Sequence, residues 1–159
     1  MEPRRPFTVD EYVRWSDVDR AGIIFYGAYV RFFEIAETEM FRSLGLPYGE
    51  FFDRYGIWLP RVHFDCDFRH PARLDDQLRV AAYISHFGTS SLTLSFDVLH
   101  VGAQRLCASA REVLVCTDRR TLTPRPLPPD VRALLERCAL TDAEAREHLG
   151  VMARTEAHE

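Results

Sequence analysis

The sequence predicts an α+β fold, an antiparallel sheet wrapped around one long helix. Three observations carry this. A broad apolar stripe of helical period occupies residues 27–45. Four segments with alternating or two-faced apolar patterning follow between residues 63 and 116. These strands succeed one another without intervening helices, which argues against a parallel sheet.

Each element has its own signal. Over residues 7–15, Phe7, Val9, Val13 and Trp15 face one side, and Thr8, Asp10 and Arg14 the other, a strand of period two. Residues 19–22, DRAG, carry turn chemistry. From Gly27 the period changes: Tyr29, Phe32, Phe33, Ala36, Met40 and Leu44 form one face of a helix that Gly45 and Pro47 stop. Tyr48, Phe51, Phe52 and Tyr55 give a shorter helix closed by Gly56. Phe64, Cys66 and Phe68 then alternate with His63, Asp65 and Asp67. Leu78 to Ile84 and Leu92 to Val98 alternate in the same way. Residues 106–116 are apolar on both faces, as in a central strand. After the stiff TPRPLPP stretch, Val131, Leu134, Leu135 and Cys138 mark a small helix. Thr141 and Glu144 form a capping box for a last helix that Gly150 ends. The tail from Val151 has no pattern and is expected to be mobile.

With 159 residues and 47% hydrophobic content, the chain fits one compact unit, read as residues 1–126 with a helical extension and tail over 127–159. A net charge of -4 and the absence of a basic stripe speak against a nucleic-acid partner. No apolar run reaches membrane-spanning length, and MEPRRPF reads as neither signal peptide nor anchor. The four cysteines form no C-x-x-C pair and read as reduced core thiols of a cytoplasmic protein.

The stretch WSDVDRAGIIFYGAY, residues 15–29, places two acids at the mouth of an apolar segment. The first amides of the long helix have no partner within it and carry positive partial charge. A carboxylate at Asp19 beside such donors suits acyl transfer: one group attacks or activates water, and the amides stabilise the oxyanion. Ile23, Ile24, Phe25 and Tyr26 would wall the pocket. The same acids could simply brace an Asx-turn or cap the helix, and the residues alone favour that structural role.

The pattern D-x-D-x-x-G-x-x-x-Y-x-x-Y over Asp17, Asp19, Gly22, Tyr26 and Tyr29, followed by Phe33-Glu34 and Leu44-Gly45-Leu46-Pro47, resembles the hotdog-fold acyl-CoA thioesterases. The group it most resembles is the 4-hydroxybenzoyl-CoA thioesterases with their bacterial short-chain relatives. The likeness runs over residues 9–126 and includes FRHPARLDD, residues 68–76. It implies that Asp19 is the catalytic carboxylate, as nucleophile or general base, and that the Tyr26 backbone N–H is the oxyanion donor. Asp17 would brace the turn. Gly22, Ile23, Phe25, Gly27, Tyr29, Trp58, Ser90 and Ser91 are read as substrate-contacting, and Arg61, Arg69 and Arg73 as candidates for the CoA phosphates. No cofactor is implied, since coenzyme A belongs to the substrate. A homodimer or homotetramer is implied, with the two-faced last strand consistent with pairing. Two positions depart from the pattern: Gly27 stands where several relatives carry histidine, and Glu37 where they often carry arginine.

The remaining constellations carry little. His63, Asp65, Cys66, Asp67 and His70 look like metal ligands, but on a strand they divide between two faces. Ser90 and Ser91 lack a G-x-S-x-G context, and no phosphate-binding glycine loop is present. A hotdog dehydratase or hydratase would want a histidine beside the acid, and Gly27 offers none. A non-catalytic acyl-CoA-binding protein is the reading from another class.

Overall fold

In the computed structural model, which describes residues 2–151, strand β1 spans Phe7–Tyr12. It is shorter than the alternation suggests. Val13 exchanges backbone bonds with Asp75 and Asp76 at 2.9 Å each, and the Arg14 N–H is captured by the Asp17 carboxylate at 2.8 Å. Trp15–Asp17 thereby becomes a 3-10 turn, and Trp15 is left 80% exposed instead of entering the core.

Helix α1 (Tyr29–Ser43) follows a 3-10 turn over Tyr26–Ala28. It buries Tyr29, Phe32, Phe33, Ala36, Met40 and Phe41 on one face. Each large apolar side chain taken out of water contributes roughly 1.5–3 kcal/mol, so this face dominates the helix's stability. Gly45 stops it at φ +77°, a left-handed conformation open to a residue without Cβ. Helix α2 (Tyr48–Tyr55) packs Phe51 fully into the same core.

The strands are β2 (Ile57–Trp58), β3 (Arg61–Phe68), β4 (Gln77–Phe87), β5 (Ser91–His100), β6 (Arg105–Val115) and β7 (Thr117–Asp118). Five form an antiparallel sheet in the order β1-β4-β5-β6-β3, and β2 pairs with β7 separately. The two-residue ribbon was not foreseeable, because so short a strand has no period to read. Val80, Ala82 and Ile84 of β4, with Leu94, Phe96 and Val98 of β5, close over α1. This is the hotdog arrangement: a long helix inside a curved antiparallel sheet.

Strand β6 lies between β5 and β3, so its two-faced apolar character reflects an interior position, and it offers no free edge for pairing. The edge strands are β1 and β3, and on β3 Val62, Phe64 and Phe68 are 62%, 46% and 55% exposed.

The C-terminal segment forms α3 (Pro129–Leu135), a 3-10 turn and α4 (Asp142–His148). Val131 and Leu135 join the main core. Helix α4 begins with the expected capping box: Glu144 N–H donates to Thr141 Oγ1 at 3.2 Å, and Thr141 N–H to Glu144 Oε2 at 2.7 Å. It lies on the outer sheet face, where the Tyr83 hydroxyl sits 3.0 Å from both Asp97 and Asp142. Val151 packs beside Leu99 and Leu149. The rest of the tail read as mobile lies outside the described residues.

Candidate active site

The loop between β1 and α1 is fixed mainly by its own backbone. Asp19 N–H donates to Ile23 O, and Gly22 N–H to Asp19 O, both at 2.9 Å. The Asp19 Oδ1 accepts from Ala21 N–H at 2.8 Å, an Asx-type turn. Gly22 completes the turn at φ +76°, where a Cβ would be strained. The bracing role therefore exists for one oxygen of Asp19. The side chain is otherwise exposed, and its second oxygen has no partner among the described residues.

Asp17 has a different environment. It is 2% exposed and accepts from Arg14 N–H at 2.8 Å, from Arg31 Nε at 2.9 Å and from the Arg31 Nη2. Its carbonyl accepts from Phe25 N–H at 3.1 Å. Burial alone would push the Asp17 carboxyl up, but Arg31 and the Arg14 amide outweigh it and hold the carboxyl below its ordinary range. This pair ties the loop to the first turn of α1.

The second segment closes on the first. Ile24 N–H donates to Ala72 O at 2.8 Å, and Ile23 bridges to Arg73. Together they form a cavity of about 370 Å³. Ile23, Ile24, Tyr26 and Tyr29 supply one wall, and Phe68, Arg69, His70 and Pro71 the other. Its size is at the lower end for small-molecule pockets. The Tyr26 and Gly27 amides open the turn that leads into α1, and neither N–H finds an acceptor among the described residues. Unpaired donors at a helix start favour negative charge. Gly22 and Phe25 shape the loop and do not line this cavity.

Other sequence-predicted residues lie elsewhere in the chain's own fold. Trp58 packs tilted against Phe52, with ring centres 5.3 Å apart, under the Arg119 guanidinium at 4.4 Å. Ser90 ends the turn joining β4 to β5 and Ser91 opens β5, their carbonyls engaged by the Cys116 and Gly88 N–H groups. Arg61 is held by both oxygens of Glu37 and lies 3.3 Å from Glu112 Oε2. Its charge is already matched, which makes it the weakest of the three arginines as a phosphate ligand. Tyr48 completes that cluster by donating to Glu37 at 2.7 Å. Burial pushes the Glu112 carboxyl up, Glu37 adds to this, and Arg61 opposes it. Glu37, read as a departure, is thus a buried carboxylate paired with the half-exposed Arg61.

Arg69 and Arg73 are exposed and have no carboxylate partner among the described residues. Phe68, His70 and Pro71 were missed as site residues, and the one available signal was their membership in the FRHPARLDD stretch. His70 packs edge-on to His100, with ring centres 5.7 Å apart. Cys66 is no nucleophile: burial first, then Asp67 and Asp65, push its thiol up to about 11. Among the described residues no three His, Cys, Asp or Glu side chains converge as metal ligands, and no helix is long and apolar enough to cross a membrane. A second cavity, under α4, is lined by Asp97, Arg111, Asp142 and Arg146, which pair with one another.

Residues 13–135 match the family described as the Thioesterase-like superfamily. The chain is 32% identical over 127 residues to the acyl-CoA thioester hydrolase YbgC of Escherichia coli O6:H1, covering 76% of this chain and 89% of that protein. It is 26% identical over 141 residues to a 1,4-dihydroxy-2-naphthoyl-CoA hydrolase of Nostoc punctiforme, covering 89% and 93%. Among solved structures, the gentisyl-coenzyme A thioesterase BH1999 superposes with a TM-score of 0.69 at 27% identity, over 81% of this chain and 98% of that one.

Proposed function

The chain belongs to the Thioesterase-like superfamily, and on that footing we propose that this thioester hydrolase cleaves a short-chain or aromatic acyl-CoA to the free acid and CoA. The observation that carries the reading is the unpaired amide of Tyr26, a residue that lines the apolar cavity, at the end of the carboxylate loop; Gly27 and Asp19 adjoin the cavity in sequence but are not among its lining residues. The thioester carbonyl oxygen would lie at the Tyr26 N–H. The Asp19 carboxylate would then act on the carbonyl carbon in one of two ways. It attacks directly, expelling CoA thiolate and leaving a mixed anhydride that water hydrolyses, or it removes a proton from the attacking water. In both routes negative charge grows on the carbonyl oxygen, where fixed donors lower the barrier most. Arg69 and Arg73, at the two ends of the connection that walls the cavity, are the cations we assign to the CoA phosphates. Three of the four free cysteines are buried thiols, which fits a reducing cytoplasm.

Thiol release from a panel of aliphatic and aromatic acyl-CoAs tests the reading. At least one ester should turn over, and failure on every ester would favour a binding protein. Hydration or dehydration gains some support from His70 in the cavity wall; it would consume an enoyl- or hydroxyacyl-CoA without releasing thiol.

The site also calls for a second copy of the chain. Tyr26 is 79% exposed and Asp19 faces solvent, so one subunit leaves the chemistry open to water. The β3 edge presents unpaired backbone and exposed apolar side chains. Two-fold antiparallel pairing of β3 with itself would set the Arg61 end of one copy beside the Phe68 end of the other. Trp58, Ser90 and Ser91 lie toward the Arg61 end, so this pairing carries them to the partner's cavity. Sedimentation should give two chains or four for the wild type. Val62→Lys, which adds a charge twice at the two-fold edge, should shift the mass toward one chain and abolish turnover. A fully active wild-type monomer would refute the shared site.

A further inference from the structure

Tyr29 is the first residue of α1 and only 3% exposed, yet its hydroxyl has no hydrogen-bond partner among the described residues. Its ring is set by Phe68 at 5.5 Å, Phe33 at 6.2 Å and Phe32 at 6.3 Å. It lines the same cavity as Ile23, Ile24 and Phe68. Of the other polar side chains there, Tyr26 and Arg69 are exposed and His70 is half-buried, so Tyr29 alone is deep. The hydroxyl oxygen is not among the fully buried unpartnered atoms of the described residues, so it opens on the cavity as a donor free to take a partner there. Burial, with the Cys107 and Cys66 thiols nearby, holds the phenol well above its ordinary range. The group therefore keeps its proton and remains a donor at neutral pH. Thiols are weak acceptors and do not answer it.

We propose that the Tyr29 hydroxyl donates a hydrogen bond to an oxygen carried on the acyl group, making Tyr29 a specificity-determining residue of the cavity. The inference rests on the acyl-CoA thioesterase reading of the same site. Tyr29 stands three positions after Tyr26 and so lies one turn further along the same side. An ester whose carbonyl meets the Tyr26 amide would extend its acyl end toward Tyr29. An acyl group with an acceptor at that end satisfies the hydroxyl. A bare hydrocarbon leaves it unpaired and strips it of any water. Sites built around one buried hydroxyl discriminate in this way.

The test compares benzoyl-CoA with its 3-hydroxy and 4-hydroxy derivatives, on the wild type and on Tyr29→Phe. The wild type should prefer at least one hydroxylated ester by roughly 10- to 100-fold in kcat/KM. Tyr29→Phe should bring that preference close to unity, with the loss falling on the hydroxylated esters. Binding of the matching non-hydrolysable thioethers, measured by calorimetry, should show the same preference and the same loss. A preference that survives Tyr29→Phe, or a variant that loses all esters in equal proportion, overturns the assignment. If no ester is cleaved but the thioethers still discriminate through Tyr29, the hydrolase reading fails and the assignment stands.

Discussion

Asp19→Asn is expected to lower kcat by roughly 10²–10⁴-fold, the range of a positioned acid–base group, and by more if the carboxylate attacks directly. The substitution separates chemistry from architecture. Asparagine keeps an Oδ1 acceptor for the Ala21 N–H, so the Asx-turn survives. The side chain is exposed, so little packing changes. Melting temperature and affinity for a thioether analogue should therefore match the wild type, and the loss should appear in kcat. Exposed sites away from special features usually shift stability by less than about 0.5 kcal/mol. Undiminished turnover in Asp19→Asn would remove this carboxylate from the mechanism, and a collapsed melting temperature would make it a bracing residue. Single turnover in ¹⁸O water divides the two routes, because hydrolysis of a mixed anhydride can leave label on the Asp19 carboxyl.

What was legible in the sequence was whatever repeats with a short period. The α1 stripe and the alternation in β3, β4 and β5 report burial directly, since one face of each element meets the core. The loop was legible for a different reason: Asp19, Ala21 and Gly22 interact within three residues, so turn chemistry shows in sequence order. Contacts between residues distant in the chain left no such trace. Nothing around Arg31 announces that its partner is Asp17, nor does the sequence show Arg61 spanning Glu37 and Glu112. Trp15 misled because it continues the parity of Phe7 and Val9, while the backbone had already turned at Val13 to follow Asp75 and Asp76. The two-faced apolar run of β6 marks a central strand, and the structure places it inside the sheet; the link from that run to subunit pairing fails, because an interior strand has no free edge. The edge with three exposed apolar side chains is β3, whose pattern is that of an ordinary half-buried strand. Trp58, Ser90 and Ser91 were placed beside Asp19 by resemblance alone. In one chain they are at the far end of the sheet, and sequence cannot say which copy completes a site.

Arg31→Met should cost about 2–3 kcal/mol at pH 7, somewhat below the ~3–5 kcal/mol for breaking a fully buried pair, because the Arg31 side chain is 33% exposed. Methionine retains the stem over Phe32, so the loss isolates the charge. Asp17 would then be a buried carboxylate with the Arg14 amide as its remaining side-chain partner. In the wild type the Asp17 carboxyl is held below its ordinary range. Its contribution to stability is fully present above the unfolded carboxyl pKa of ~3.9 and fades as pH falls through the lower folded value. In Arg31→Met the sign reverses. Burial raises the folded pKa, so the carboxyl destabilises most at neutral pH and less once it is protonated. The melting-temperature gap between wild type and variant should therefore be wide at pH 7 and narrow toward pH 4. Adding Asp17→Asn to Arg31→Met should recover much of the loss at pH 7, because no unpaired charge remains. Turnover should fall in Arg31→Met even well below its melting temperature, because the Asp17 carbonyl fixes Phe25, the residue before the Tyr26 amide. A gap that does not depend on pH would mean that Arg31 acts by packing, and that its charge is not what holds the loop.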